Sequence, residues 1–439
     1  MKTFVGGVHP SYSKEITASL PITPASTPSQ VIIPLHQNIG APCEPAVEVE
    51  ETVKLGQKIG EPQGFVSAPV FASVSGKVTK IEPYNHPLGN PVKAVFIEND
   101  GEDALHESVK PNKSLEELTP EEIINISKEA GLVGLGGAAF PTHVKLSPPS
   151  DIDIDTVIIN GAECEPFLTA DYRLMLERAE DIIYGLKAFM KALGAEKGII
   201  GIEDNKPEAI SSIRKALEEE GKGYNIEIQE LHTKYPQGAE KMLIKATTGR
   251  EVPPGALPMA VNVVNQNTGT TVAMAEAIKQ GKPLYERVIT VTGPGIRNPA
   301  NIIVRNGALV KDILELCGGI TEDASKLVLG GPMMGMAQFS DDIPVIKGTS
   351  GLLVLTEEYT QEHPINPCIR CGKCMEVCPM NLPPNFIGSA AEKKMMDLAE
   401  KYGAMDCFEC GSCTYICPAN RPLVQWIRLA KAEIAASKK

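Results

Sequence analysis

Eleven cysteines stand in this 439-residue chain, and eight of them fall between Cys368 and Cys417. They form two runs with one grammar, Cys368-x2-Cys371-x2-Cys374-x3-Cys378-Pro379 and Cys407-x2-Cys410-x2-Cys413-x3-Cys417-Pro418. In such a run three closely spaced thiolates wrap a loop around three irons of a [4Fe–4S] cubane, and the fourth iron is reached from the other run. The expected ligand sets are therefore crossed: Cys368, Cys371, Cys374 and Cys417 for one cluster, Cys407, Cys410, Cys413 and Cys378 for the other. Each proline turns the chain away from its cluster. Structural zinc is the bland alternative, but zinc ligands come in pairs and give an x3-Cys-Pro ending no role. Two adjacent cubanes serve to pass single electrons. Cys43, Cys164 and Cys317 fit no ligand spacing, and Cys317, beside a helix end, reads as core.

A second stretch has the residue types of an anion cradle: Gly134-Leu135-Gly136-Gly137-Ala138-Ala139-Phe140-Pro141-Thr142-His143-Val144-Lys145. Glycines let backbone N–H groups approach a phosphate, and a lysine follows at a fixed distance to meet its charge. No Gly-Lys-Ser/Thr follows, so it is not a Walker loop. No strand leads into it, so it is not the G-x-G-x-x-G dinucleotide fingerprint either. His143, a lone histidine, makes no case for catalysis.

The elements that must position these residues fall into distinct stretches. The first ~110 residues carry short alternating runs closed by Gly, Pro and Asn. Strands are expected at 31–35, 66–70 and 76–81, with no long helical period. Val53-Lys54-Leu55-Gly56-Gln57-Lys58-Ile59-Gly60 and Ser75-Gly76-Lys77-Val78 resemble the barrel-sandwich pattern of biotinyl and lipoyl domains, without the lysine that would carry a swinging cofactor. Thr119, Pro120, Glu121 and Glu122 mark a helix start. Strands at 155–160, 198–202 and 226–228 then alternate with one long helix spanning Leu174 to Leu193 and helices at 207–220 and 238–247, which indicates a parallel sheet. Strands at 288–293 and 301–304 with a helix at 309–316 suggest a β-grasp-like module. The tail from Leu423 is a helix with Leu423, Trp426, Ile427, Ala430 and Ile434 on one side. The predicted class is multidomain α/β: an N-terminal β barrel-sandwich (1–110), a Rossmann-like α/β domain (111–283), a β-grasp module (284–355) and a helical two-cluster domain (356–439).

Composition excludes several classes. The formal charge of −13 gives no basic footprint for nucleic acid. No apolar run approaches the ~18 residues that span a bilayer, and the start shows no signal-peptide core. The basic tail (Arg421, Arg428, Lys431, Lys438, Lys439) reads as a solvated helix face rather than a lipid anchor. The odd cysteine total and its crowding point away from a disulfide framework.

The glycine loop closely resembles the flavin loop of the NADH-binding flavoprotein of respiratory complex I, which reads G-x-G-G-A-x-F-P-T-x-x-K. Asn160-Gly161-Ala162-Glu163-Cys164-Glu165-Pro166 resembles that family's N-A-D-E-x-E-P, Gly238-Ala239-Glu240 its G-E-E, and Asn267-Thr268-Gly269-Thr270 its N-V-E-T. The doubled cysteine run, the N-terminal barrel, Phe4-x-Gly6-Gly7 and His36-Gln37-Asn38-Ile39-Gly40 are similar to the C subunits of RNF complexes, membrane-bound ferredoxin:NAD oxidoreductases that transport Na+ or H+. The resemblance implies noncovalent FMN lined by Gly134, Gly136, Gly137 and Ala138, with Lys145 on its phosphate. It implies Asn160 and Asn267 on the flavin and Thr270 by the phosphate. It implies Phe140 stacked on the nicotinamide nucleotide, with Glu163, Glu165, Gly238 and Glu240 around NAD(H). A carboxylate there bonds a ribose 2′-OH and repels a 2′-phosphate, which favours NADH over NADPH. It also implies integral and peripheral partner subunits and a peripheral place on the cytoplasmic side of the membrane, with no transmembrane insertion of its own. Leu135, Ala162 and Ala239 stand where complex I has Arg, Asp and Glu, and Leu146-Ser147-Pro148 lacks its aromatic, so flavin potential and hydride geometry are expected to differ. Two other readings share these parts: a flavin- and iron–sulfur-dependent cobalamin reductase of a microcompartment, and a non-catalytic electron-transfer scaffold.

Overall fold

The computed structural model describes residues 1–361 and 363–438; Lys439 of the basic tail lies outside them. The N-terminal β unit closes around Val31, Ile33, Val53, Ile59, Val70, Val78, Val95 and Ile97, all buried. Its larger sheet runs Gln30–Pro34, Val92–Asn99, Gly76–Tyr84, Thr52–Val53, and its smaller one Cys43–Pro45, Lys58–Pro62, Val70–Phe71. Alternation sends Val31 and Ile33 inward, while Ile32, on the opposite face, packs with Phe96 and with Leu309 of the β-grasp module. The expected strand at 66–70 is mostly irregular, with pairing only at Val70–Phe71.

The first 24 residues leave this barrel. Ile22–Pro24 adds an edge strand to the six-stranded β-grasp sheet by pairing with Ala300–Arg305. Val8 bridges Tyr235, and the Gly7 N–H donates to the Val377 carbonyl at 2.9 Å, so the amino-terminal segment ties the α/β domain to the cysteine domain.

The α/β domain begins at Pro120–Glu129. Thr119 and Glu122 form a full capping box there, which satisfies two of the orphan N–H groups. The sheet is fully parallel, in the order Ile226–Leu231, Lys197–Glu203, Thr156–Gly161, Val263–Asn267. Numbered along the chain this is 3-2-1-4, so the order reverses between Thr156–Gly161 and Val263–Asn267. In open α/β sheets ligands bind at the carboxyl ends of the strands flanking such a reversal. The expected long helix is two, Ala170–Glu177 and Ala179–Leu193. Arg178 leaves helical geometry (φ −131°, ψ 33°), and its guanidinium bonds Asp181 and Glu276 at 2.7 and 3.0 Å. Gly185 lets Ala179–Leu193 approach the helix Thr268–Gln280, because a Cβ there would lie 2.2 Å from the Thr271 carbonyl.

In the β-grasp sheet Glu286–Thr292 sits between Ala300–Arg305 and Gly351–Thr356, and the helix Val310–Leu316 closes the core with Val310, Ile313 and Leu314. Cys317 is buried in that core. The carboxy-terminal helices Pro384–Glu392, Met396–Lys401 and Leu423–Ser437 pack through Ile387, Ala391, Ala399, Ile427, Ala430 and Ile434.

Candidate flavin cradle and iron–sulfur centres

Asn160 and Asn267 are register partners at the carboxyl ends of the two strands that flank the sheet's reversal. Asn160 donates from Nδ2 to the Gly238 carbonyl at 2.8 Å and accepts the Ala162 N–H at 3.2 Å. Asn267 is the N-cap of Thr268–Gln280. Its Oδ1 accepts the Gly269 and Thr270 N–H groups at 2.8 and 3.4 Å, and its Nδ2 donates to Asp171 at 2.7 Å. Burial pushes the Asp171 carboxyl up, and the Asn267 hydrogen bond opposes the shift. The glycine loop faces these asparagines. Thr270 Oγ1 accepts the Leu135 N–H at 2.9 Å and donates to the Val133 carbonyl at 3.1 Å, and the Gly134 N–H bonds the Phe140 carbonyl. Gly136, Gly137 and Ala138 remain exposed, and Phe140 is half-buried at the loop's end. A Cβ on Gly136 would stand 3.6 Å from Asn267, and one on Gly137 would meet nothing within 4 Å.

Lys145 ends the short helix that follows the loop. Its Nζ lies 2.9 Å from Glu240 Oε2 and 3.1 Å from the Asn265 carbonyl. Glu240 opens the helix Glu240–Thr248, so the two charged candidates meet beside a helix N-terminus. Glu163 and Glu165 are placed otherwise. Glu163 accepts the Asp171 and Tyr172 N–H groups at 2.7 and 3.2 Å and faces Lys14 at 3.9 Å. Glu165 accepts the Met333 and Met334 N–H groups of the β-grasp module at 3.1 and 2.9 Å. Burial raises both carboxyls, Glu165 to about 7. Both acids thus have partners within the protein.

The loop is compatible with a flavin nucleotide. It presents an open glycine face beside a lysine and two asparagines. The adjoining strand end leaves buried Asn265 Oδ1 and both amide atoms of Gln266 without a protein partner. Gly136, Gly137, Ala138, Lys145 and the two asparagines are the residues that would hold it.

Cys368, Cys371, Cys374 and Cys417 line one cavity together with Asn385 and Arg421. Burial raises the Cys374 thiol, and Cys417, Cys368 and Cys371 add to the shift. Burial likewise raises the Cys413 thiol, joined by Cys410, Cys407 and Cys378. Each cysteine preceding a proline is therefore felt by the other run. Among the described residues no three Cys, His, Asp or Glu side chains gather around one ion-sized point. The four thiols of the first set spread over a cavity wall, as a polynuclear cluster requires when each thiolate reaches its own iron.

A packed bridge joins the two kinds of site. The Gly238 N–H donates to Cys164 Sγ at 3.2 Å while its carbonyl holds Asn160. Cys164 packs with Tyr235, Val8 and Cys410, with Met333, Val377 and Phe408 around them, and the Tyr235 hydroxyl donates to the Cys410 carbonyl at 2.8 Å. Tyr235, Lys14 and Asp171 are site residues that sequence reasoning passed over. Each is a single residue in a segment without a period, and only the polar pair Tyr235-Pro236 just before Gly238 hints at a turn there.

Four family models match the chain. Residues 2–102 match the RnfC barrel sandwich hybrid domain, 127–276 the Nuo51 FMN-binding domain, 288–337 the SLBB domain and 363–418 the 4Fe-4S dicluster domain. The chain is 52% identical over 437 residues to the C subunit of the Na(+)-translocating ferredoxin:NAD(+) oxidoreductase complex of Acetobacterium woodii, covering 100% of this chain and 98% of that one. It is 49% identical to the C subunit of the proton-translocating ferredoxin:NAD(+) oxidoreductase complex of Clostridium ljungdahlii, covering 100% and 95%. It is 43% identical to the C subunit of the ion-translocating oxidoreductase complex of Rhodobacter capsulatus, covering 98% and 83%. Among solved structures, an NAD+-reducing [NiFe]-hydrogenase in the H2-reduced state shares the fold over 74% of this chain and 65% of its own, with a TM-score of 0.52 at 18% identity.

Proposed function

Because this chain belongs to the C-subunit family of ion-translocating ferredoxin:NAD+ oxidoreductase complexes, we propose that it is the peripheral electron-transfer component through which such a complex exchanges electrons with NAD(H). Its cofactors are FMN and two [4Fe–4S] clusters. When bound, FMN takes a hydride and releases electrons singly, and the clusters pass single electrons.

The protein's own residues hold and orient. Gly136, Gly137 and Ala138 offer backbone to the flavin phosphate end, Gly134 closes the loop through Phe140 and Ala139, and Lys145 supplies the counter-charge. Asn160 and Asn267 fix the ring edge from the two strand ends, with Thr270 bracing the loop. Phe140 offers a face to the nicotinamide nucleotide. Of the acids, Glu240, which pairs with Lys145 and is the most exposed of the three, is the better partner for a ribose 2′-OH. Glu163 and Glu165 act by holding the surrounding segments together.

Of the inner thiol set, Cys407, Cys410, Cys413 and Cys378, it is Cys410 that packs with Tyr235, Cys164 and Met333. The outer set includes Cys368 and Cys371, both exposed. The outer set is therefore the one open to an approaching partner. No helix among the described residues is long and apolar enough to cross a membrane, so we assign attachment to integral partners, with this chain on the cytoplasmic face where NAD(H) is found. We take residues 1–110, 111–283, 284–355 and 356–439 as its working units.

The observation that carries this reading is the juxtaposition of the paired asparagines and the exposed glycine loop with a thiol set docked behind them. The test is reduction of the reconstituted protein, followed by paramagnetic resonance. NADH should reduce the clusters only when FMN is present, and NADPH should be a poor donor. Cluster reduction by NADH in flavin-free protein would sink the proposal.

A further inference from the structure

Arg287 stands in the β-grasp strand Glu286–Thr292 and is 7% exposed. Its Nη2 donates to the Leu135 carbonyl in the glycine loop at 3.0 Å, and its Nη1 donates to the Lys347 carbonyl. Among the described residues no carboxylate pairs with it directly. Asp171 acts on it from further off, and that acid is already held by Asn267. Burial lowers the guanidinium to about 10, so it remains a cation at neutral pH. A buried charge bonded only to carbonyls is costly to fold around unless something else offsets it.

The surroundings show where that offset lies. The peptide groups on both sides of Leu135 are fixed, the N–H by Thr270 Oγ1 and the carbonyl by Arg287. The next three residues are the exposed ones. Gly348, beside Lys347, backs the same loop: a Cβ there would lie 3.2 Å from the Gly137 carbonyl and 3.4 Å from Ala139. The β-grasp module thus forms the rear wall of the glycine loop and puts a buried cation against it, with Asp171 as a charged neighbour but no direct ion pair.

We propose that Arg287 positions the glycine loop and is the fixed positive charge that raises the reduction potential of bound FMN, making the β-grasp module part of the flavin site. This rests on the reading that FMN binds at that loop. Reduced flavin carries more negative charge than oxidised flavin, and a preorganised buried cation favours the more negative state.

The test uses the full chain with both clusters reconstituted, and compares Arg287→Met, Arg287→Lys and Gly136→Val. FMN affinity is read by fluorescence quenching, FMN potential by spectroelectrochemical titration, and cluster content by iron analysis and paramagnetic resonance. Arg287→Met should lower the FMN potential and weaken FMN binding, with cluster potentials unmoved. Arg287→Lys keeps the charge and loses the forked geometry, so its potential should stay near wild type while affinity falls. Gly136→Val fits the protein's own space but fills the cradle, and should abolish FMN binding. An Arg287→Met protein that holds FMN at the wild-type potential overturns the inference. If Arg287→Met binds no FMN, the lysine variant decides, and a lowered potential there overturns it equally. Full FMN binding by Gly136→Val would instead overturn the placement of the flavin, whatever Arg287 does.

Discussion

The two cysteine runs share a backbone and differ in their surroundings. Arg370 and Glu409 take left-handed φ values of +58° and +65°, Gly372 and Gly411 +80° and +79°, and Asn381 and Asn420 +53° and +52°. Gly372 and Gly411 each start a four-residue helix, and Cys368 and Cys407 each accept the N–H of the second residue on, at 3.4 and 3.3 Å. Beyond this frame the runs part. Cys410 and Cys413 are buried, Cys410 against Tyr235 and Cys164 of the α/β domain, whereas Cys368 and Cys371 are exposed beside exposed Ile365 and Ile369. Glu409 is held by Arg428 and Lys431 at 2.9 and 2.6 Å, while its counterpart Arg370 faces solvent. One local grammar thus serves an internal station and a surface terminal, and the difference comes from what packs on it.

The comparison breaks most severely at the shared ligands. Cys378→Ser should damage the cluster of Cys407, Cys410 and Cys413, and Cys417→Ser that of Cys368, Cys371 and Cys374, each lowering iron by about half. Paramagnetic resonance of the two variants identifies the cluster that survives. Damage confined to the mutated cysteine's own run would refute the crossed assignment.

Next in size is Lys145, which we propose meets the flavin phosphate. Lys145→Ala removes a charge-assisted contact worth roughly 1.5–3 kcal/mol, so FMN should bind about 10–100-fold more weakly. The clusters should assemble normally, because both thiol sets lie outside the loop. Fluorescence titration of apoprotein with FMN measures the change, and an unchanged Kd would remove Lys145 from the site.

A smaller effect separates the runs electrostatically. Arg370→Glu should lower the potential of the outer cluster only, by about 1 kcal/mol or near 40 mV for a one-electron centre, after allowance for solvent screening. A mediated titration that moved both clusters together would mean that the two runs are not electrostatically distinct.

Much of the shared frame was legible from sequence because its parts are local. Each cysteine run and the glycine–lysine loop sit within a dozen or so residues. The strand Val263–Asn267 was not anticipated, since Asn265-Gln266-Asn267 breaks the apolar run expected of a buried parallel strand. The apolar period that runs on through Arg178 hid the helix break. Arg287, Tyr235 and the amino-terminal segment reach the site across distances that no spacing encodes. What decides inner from outer is tertiary burial, and neither run carries that information in its own residues.

The last effect is read as stability and concerns the seat of the inner run. Glu165 joins the α/β domain to Met333 and Met334, and Met333 packs beside Cys410. Burial raises its carboxyl from 4.5 to about 7. A carboxyl raised in the folded state binds its proton more tightly there than in the unfolded chain. The stability it confers is therefore complete below about pH 4.5, falls as pH rises from there to about 7, and is flat above. The span is up to about 3 kcal/mol. Glu165→Gln cannot titrate, so the stability difference between variant and wild type should shift in the variant's favour between pH 5 and pH 8. Denaturant midpoints of both proteins, each with clusters in place, measure that difference and cancel the pH response of the clusters themselves. A difference that is the same at both pH values would show that Glu165 stays ionised throughout, held by its two N–H partners rather than governed by burial.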